Sequence, residues 1–176
     1  MTAVSIDEIR NDLPDWPSDI VEGWLHPISQ RPDLGWPPPE PIGRHPWFYV
    51  LNGKPLSWWQ QVIWEQKEWP FEFLQLSPAD QDMIASMVEG HFEGKKNIYT
   101  FVDGKQRIVS ALQYIAENRT IPRPLIAMET KAGLRFVDGA HRLTALALAS
   151  QWQTDGKWPS GWALKSEHSI WVGRHP

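Results

Sequence analysis

A seven-residue phrase occurs twice in this chain, Phe-Val-Asp-Gly-x-x-Arg at 101–107 and again at 136–142, and each copy runs into a segment with helical spacing of apolar residues. An apolar, β-branched approach, then Asp-Gly, then a helical period is the pattern of a strand turning into a helix. Two such junctions, 35 residues apart, restrict the fold to one that alternates strands and helices. They also restrict what the fold can do. Each helix start carries unpaired backbone N–H groups and an arginine, so both can be aimed at one anionic ligand.

The segments around the two phrases set the fold class. Residues 98–102 read as a strand and 104–117 as a helix with Ile108, Ala111, Leu112 and Ile115 on one face. Pro122 and Pro124 stop any helix, 124–128 read as a second strand, and Lys131-Ala132-Gly133 turns the chain into a hairpin with 134–137. Gly139 opens the next helix, in which Leu143, Leu146, Ala147 and Ser150 keep the period. The expected class is α+β, a small mixed sheet with helices. Upstream, Ser77-Pro78-Ala79-Asp80 is a helix start, and that helix should run to about His91 and stop near Gly94. Residues 47–50 read as a short strand before the Asn52-Gly53 turn, and 56–69 as a helix bearing Trp58, Trp59, Val62, Ile63 and Trp64. Residues 1–46 hold Trp-Pro pairs at Trp16 and Trp36 and the run Pro37-Pro38-Pro39, which predicts an irregular extension laid by its tryptophans on a single domain at 47–176. Tryptophans at helical spacing predict packing ahead of base stacking.

Composition closes off several functions. With 176 residues and 41% hydrophobic content the chain can bury a real core. It has no cysteine, which excludes disulfides, thiolate nucleophiles and thiolate metal sites. The acidic start, with Asp7, Glu8, Asp12, Asp15 and Asp19, reads as no secretory signal, and no apolar run reaches the roughly 20 residues that span a bilayer. The expectation is a cytoplasmic protein without membrane insertion. The net charge of −4 is uneven: residues 1–100 hold 15 acids and 7 bases, a net of −8, whereas 101–150 hold 4 acids and 7 bases, a net of +3. Lys105, Arg107, Arg119, Arg123, Lys131, Arg135 and Arg142 therefore form the segment suited to phosphates, including those of DNA. A solvated mixed-charge face is the plain alternative for any one of them.

Asp138-Gly139-Ala140-His141-Arg142 is the most chemical stretch. Glycine allows close backbone approach, the helix start supplies N–H groups, and Arg142 can grip two oxygens of one phosphate. The order of helix, proline-bounded strand, hairpin and Gly-x-His-Arg resembles the ParB/sulfiredoxin superfamily over residues 101–150. That resemblance implies a nucleoside triphosphate site with its nucleotide-binding core at 98–150, in which Gly139, Ala140, His141 and Arg142 cradle phosphates. In the sulfiredoxin branch an earlier helix adds a cation and a hydroxyl, which Arg107 and Ser110 match, with Lys105 beside them and Tyr114 near a further hydroxyl contact. Mg²⁺ would accompany ATP, with Asp103 and Asp138 as the available carboxylates. A cap or turn role is the alternative for both. His141 and Arg142, with Asp138, are the expected catalytic residues, the imidazole serving proton transfer or stiffening the turn. The sequence leaves open where His45, His91 and His168 lie.

Departures from the family narrow the function. Ala140 stands where sulfiredoxins have their cysteine, so sulfinic-acid repair is excluded. The 26 residues after Ser150 are too few for the DNA-binding and dimerisation parts of a partition protein. Free serine kinases share the Asp-Gly-x-His-Arg turn, but their catalytic glutamate has no match. What is left is similar to the plasmid-encoded fertility-inhibition and oncogenic suppression proteins, which implies ATPase and DNase activity and inhibition of conjugative or T-DNA transfer. The alternatives are an inactive module that docks on a secretion or conjugation component, and a small-molecule or protein kinase.

Overall fold

The computed structural model describes residues 3–176, and the chain divides into two compact units. One holds the chain up to Glu65 together with Trp171–Pro176, and the other holds Gln66–Ile170. The first unit thus extends beyond residues 1–46. Both crossings of the chain from unit to unit fall inside strands, β1 (Ile63–Trp69) and β4 (His168–Arg174).

The first unit corrects three expectations. The segment expected to be irregular is helical as far as residue 29. It comprises α1 (Ile6–Asp12), α2 (Ser18–Ile20), a single π-helical turn at Val21–Leu25, and α3 (His26–Ser29). Ser5 and Glu8 close a reciprocal capping box on α1. Pro17 directly precedes α2, where a missing N–H costs nothing, and Pro27 lies just past the π-helical turn. Residues 47–50 form a helical turn, α4 (Trp47–Val50), not a strand, because Trp47 and Leu51 at i,i+4 are both buried on one side. The expected long helix at 56–69 is only α5 (Leu56–Trp59), followed by the strand β1. The β-branched and aromatic run Val62-Ile63-Trp64 suits a pleated strand better than a crowded helix.

Tryptophans build the core of this unit. Trp16, Trp24, Trp59 and Trp64 pack ring on ring with centroids 5.0–6.4 Å apart. Trp16 Nε1 donates to the Trp59 carbonyl and Trp59 Nε1 to the Leu51 carbonyl, whereas the buried Trp64 Nε1 has no hydrogen-bond partner among the described residues.

The second unit carries the two phrases. It runs through a 3₁₀ turn (Phe73–Gln75), α6 (Pro78–Phe92), α7 (Gly104–Asn118), β2 (Leu125–Thr130), β3 (Gly133–Asp138) and α8 (Ala140–Thr154). Ser77 caps α6 and Pro78 fills its first turn, as that dipeptide predicts. The four strands form one mixed sheet in the order β1-β4-β2-β3, which makes the fold α+β. In β2, Leu125 to Met128 are all buried, the mark of a strand covered on both faces. The strand β4 has no counterpart in the sequence reading.

Candidate functional site

The two copies of the phrase fold differently. Phe136 and Val137 lie in β3, with Phe136 opposite Ala127, whereas 98–102, expected to be a strand, form an exposed turn. Local hydrogen bonds decide this second outcome. Asn97 Oδ1 accepts from the Tyr99 N–H, Thr100 Oγ1 accepts from the Asn97 N–H, and Asn97 Nδ2 donates to the Ser86 carbonyl on α6. With its backbone satisfied by its own side chains, the segment has no call for a strand partner. Gly90 admits Thr100 here, since a Cβ at residue 90 would overlap the threonine hydroxyl.

The glycines differ by one step in the helix. Gly139 is the residue before α8, at φ +101°, and a Cβ there would sit 2.5 Å from Leu125 Cδ2 and 3.0 Å from an Arg142 Nη atom. Gly104 is the first residue of α7 and sits against the His91 ring, which a Cβ would overlap. One glycine sets a left-handed turn and the other makes room for an imidazole.

The arginines differ as well. Arg107 Nε lies 3.4 Å from Asp103 in an open i,i+4 pair, with 59% of its side chain exposed. Arg142 retains only 12%. Its Nη1 donates to the carbonyls of Arg123 (2.9 Å) and Pro124 (2.7 Å), and its Nη2 donates to Asp138 (2.8 Å). Through these bonds Arg142 pins the Pro122-Arg123-Pro124 approach to β2 onto the start of α8. A residue is skipped in the pairing between Ile126↔Asp138 and Ala127↔Phe136. This leaves Val137 as a bulge that re-aims Asp138. Burial raises the Asp138 carboxyl above its ordinary range, against the pull of Arg142, Arg123 and Arg107.

His141, in the first turn of α8, is where the two phrases meet. Its Nε2 is buried with no hydrogen-bond partner among the described residues. Burial first, then the charges of Arg107 and His91, push its pKa down to about 4, while Asp103 pulls the other way. The His91 ring lies 6.4 Å from it and the half-exposed Phe101 ring 5.8 Å. Asp103, Arg107, Asp138, His141 and Arg142 thus act on one another, with Gly139 and Ala140 as the turn between them. Lys105 turns away, with its Nζ 5.6 Å from the Phe92 ring. Ser110 is exposed and accepts from Gln106 Nε2, and Tyr114 lies farther along α7, partly exposed. The sequence left open where His91 lies, gave Phe101 no role in the site, and counted Arg123 only among the seven bases of the segment suited to phosphates. Only the type of residue at 91 hinted at its place there. His168 lies elsewhere in the unit, bonded to Thr120 Oγ1.

Among the described residues, no three His, Asp or Glu side chains are grouped to hold a metal. Each expected carboxylate is already paired with an arginine. Among the described residues no helix is long and apolar enough to cross a membrane. Compared with protein-family models, with curated proteins and with solved structures, the chain matches none.

The displaced histidine pKa makes stability depend on pH. Unfolded His141 binds its proton near 6.5 and folded His141 only near 4, so acid favours the unfolded chain. The contribution is complete above about 6.5 and is lost as pH falls from there towards 4, amounting to about 2 kcal/mol after allowance for partial solvation. His168, also lowered by burial, acts in the same direction. Asp80 and Asp138, both raised by burial, act oppositely, and their contribution is lost as pH rises through their folded values. Urea midpoints between pH 7 and pH 4 should fall in the wild type and fall less in His141→Gln. Parallel curves would show that His141 takes its proton freely in the fold.

Proposed function

We propose that the starts of α7 and α8 bind the phosphates of a nucleoside triphosphate. On this reading the chain is a nucleotide-dependent hydrolase of the ParB/sulfiredoxin kind, an ATPase and a DNase of low sequence specificity. The observation that carries it is the convergence on His141 of charges from both helices, Arg107 and Asp103 from one and Arg142 from the other. His141, neutral through the ordinary pH range, orients or deprotonates the attacking water through its unpaired Nε2. Arg107, open to solvent, is the arginine that meets phosphate, while Arg142 holds the cradle in shape. Mg²⁺ would enter with the triphosphate, and Asp103, the more exposed carboxylate, is the ligand the protein offers. DNA is the polymeric substrate because the segment around the site is the basic part of an acidic chain. The biological setting that goes with this reading is a cytoplasmic, plasmid-encoded inhibitor of conjugative or T-DNA transfer.

Arg107→Ala tests the assignment, because that side chain is exposed and its loss leaves the fold intact. ATP affinity measured by calorimetry should weaken about tenfold, the size of one lost charge-assisted hydrogen bond, and plasmid nicking should fall with it. Unchanged affinity would remove Arg107 from the site, and no ATP binding by the wild type would remove the nucleotide reading.

A second reading, a module that docks on a secretion or conjugation component without chemistry, draws on the first unit. There Tyr49 is 83% exposed and Phe48 and Ile63 are also open. Tight ATP binding without turnover or nicking would favour it.

A further inference from the structure

The geometry points to His91 as a second proton-carrying group of the site, donating to the oxygen that leaves phosphorus while His141 receives the proton of the attacking water. This rests on the hydrolase reading and adds to it the group that protonates the alkoxide leaving from the phosphodiester.

His91 belongs to the last turns of α6, outside both phrases, yet its imidazole packs on Gly104 of the first phrase and lies 6.4 Å from the His141 ring of the second. Its Nε2 lies 3.1 Å from the Tyr99 carbonyl. A carbonyl only accepts, so Nε2 carries hydrogen and Nδ1 is the nitrogen free to exchange a proton. Among the described residues Nδ1 makes no hydrogen bond, and the ring carbon between the nitrogens faces Gly104. His141 stands opposite, with centroids 6.4 Å apart, a spacing that leaves no direct hydrogen bond between the rings and places both at one small volume. The Phe101 ring closes one side of it. The structural economy is specific: the glycine of the first phrase is the residue whose missing Cβ admits His91.

The step balances without a further reactant. Water gives a proton to His141 Nε2 and its oxygen bonds to phosphorus. The bond from phosphorus to the leaving oxygen breaks with its electron pair, and that oxygen takes the proton from His91 Nδ1. Solvent then returns a proton from His141 to His91. An alkoxide leaves phosphorus poorly without such a proton, whereas a nitrophenolate leaves without help, and this contrast separates proton donation from mere shape.

The test compares wild type and His91→Gln on supercoiled plasmid and on bis(4-nitrophenyl) phosphate, with urea midpoints recorded for both proteins. Loss of a general acid should lower plasmid cleavage by about 10²-fold or more and leave the nitrophenyl diester within a few-fold. Gly104→Ala, which displaces the ring without removing it, should give the same selective loss and provides a second variant if glutamine weakens the fold. Equal losses on both substrates, or none, would overturn the role of His91 and leave the hydrolase reading standing. A wild type that cleaves neither substrate would overturn both.

Discussion

Arg142→Ala is expected to cost about 3–5 kcal/mol of stability, the range for breaking a buried ion pair by removing one partner. The substitution strands three acceptors at once: the carbonyls of Arg123 and Pro124 and the Asp138 carboxylate. Asp138 then keeps only the pull of Arg123 and Arg107, with the Gly139 backbone hydrogen bond, against its burial. Urea unfolding should show the loss directly, while Arg107→Ala, whose pair is open to water, should change stability by less than about 1 kcal/mol. A loss below about 1 kcal/mol for Arg142→Ala would mean that the pair is not a fastening of the fold. A consequence for enzymology follows. Lost activity in an Arg142 variant reports a collapsed cradle as readily as a missing phosphate contact, so Arg107 and His91 are the positions at which chemistry can be tested cleanly.

The helices of the second unit were legible because their signals are local. Ser77-Pro78, the period Ile108, Ala111, Leu112, Ile115, and the Gly139 turn each act through residues a few positions away, and α6, α7 and α8 begin where these place them. The β2–β3 hairpin was legible for the same reason. The failures lie where a distant or competing partner decides. Identical Phe-Val-Asp stretches become a strand at 136–138 and a turn at 101–103, because one meets β2 and the other is captured by Asn97 and Thr100. Trp58 to Trp64 carried a helical spacing, yet the ring stack with Trp16 and Trp24 and the strand β1 took those residues instead. Within the site, the second phrase was readable as a turn with an anion-friendly helix start. His91 was not, since nothing in a linear chain reveals that an imidazole 13 residues upstream of Gly104 packs on it.

Gly139→Ala is expected to destabilise by about 3 kcal/mol or more, from two independent causes. The left-handed φ of +101° strains any side chain, at about 1–3 kcal/mol. The new methyl also meets Leu125 Cδ2 at 2.5 Å in a strand with no exposed face, where overpacking costs about 1–3 kcal/mol more. Gly156→Ala isolates the first cause, since φ is +68° there and nothing lies within 4 Å of the added carbon, so its cost should stay near 1 kcal/mol. The second cause is isolated in a Leu125→Ala background, where the clashing methyl is gone. There Gly139→Ala should cost only the backbone part, and the two substitutions should couple favourably by about 1–2 kcal/mol. Additive losses would place the whole effect in the backbone and show that β2 yields to the methyl. Because Gly139 also holds Arg142 within reach of Asp138, its replacement should lower ATP affinity in step with stability, whereas Gly156→Ala should leave it untouched.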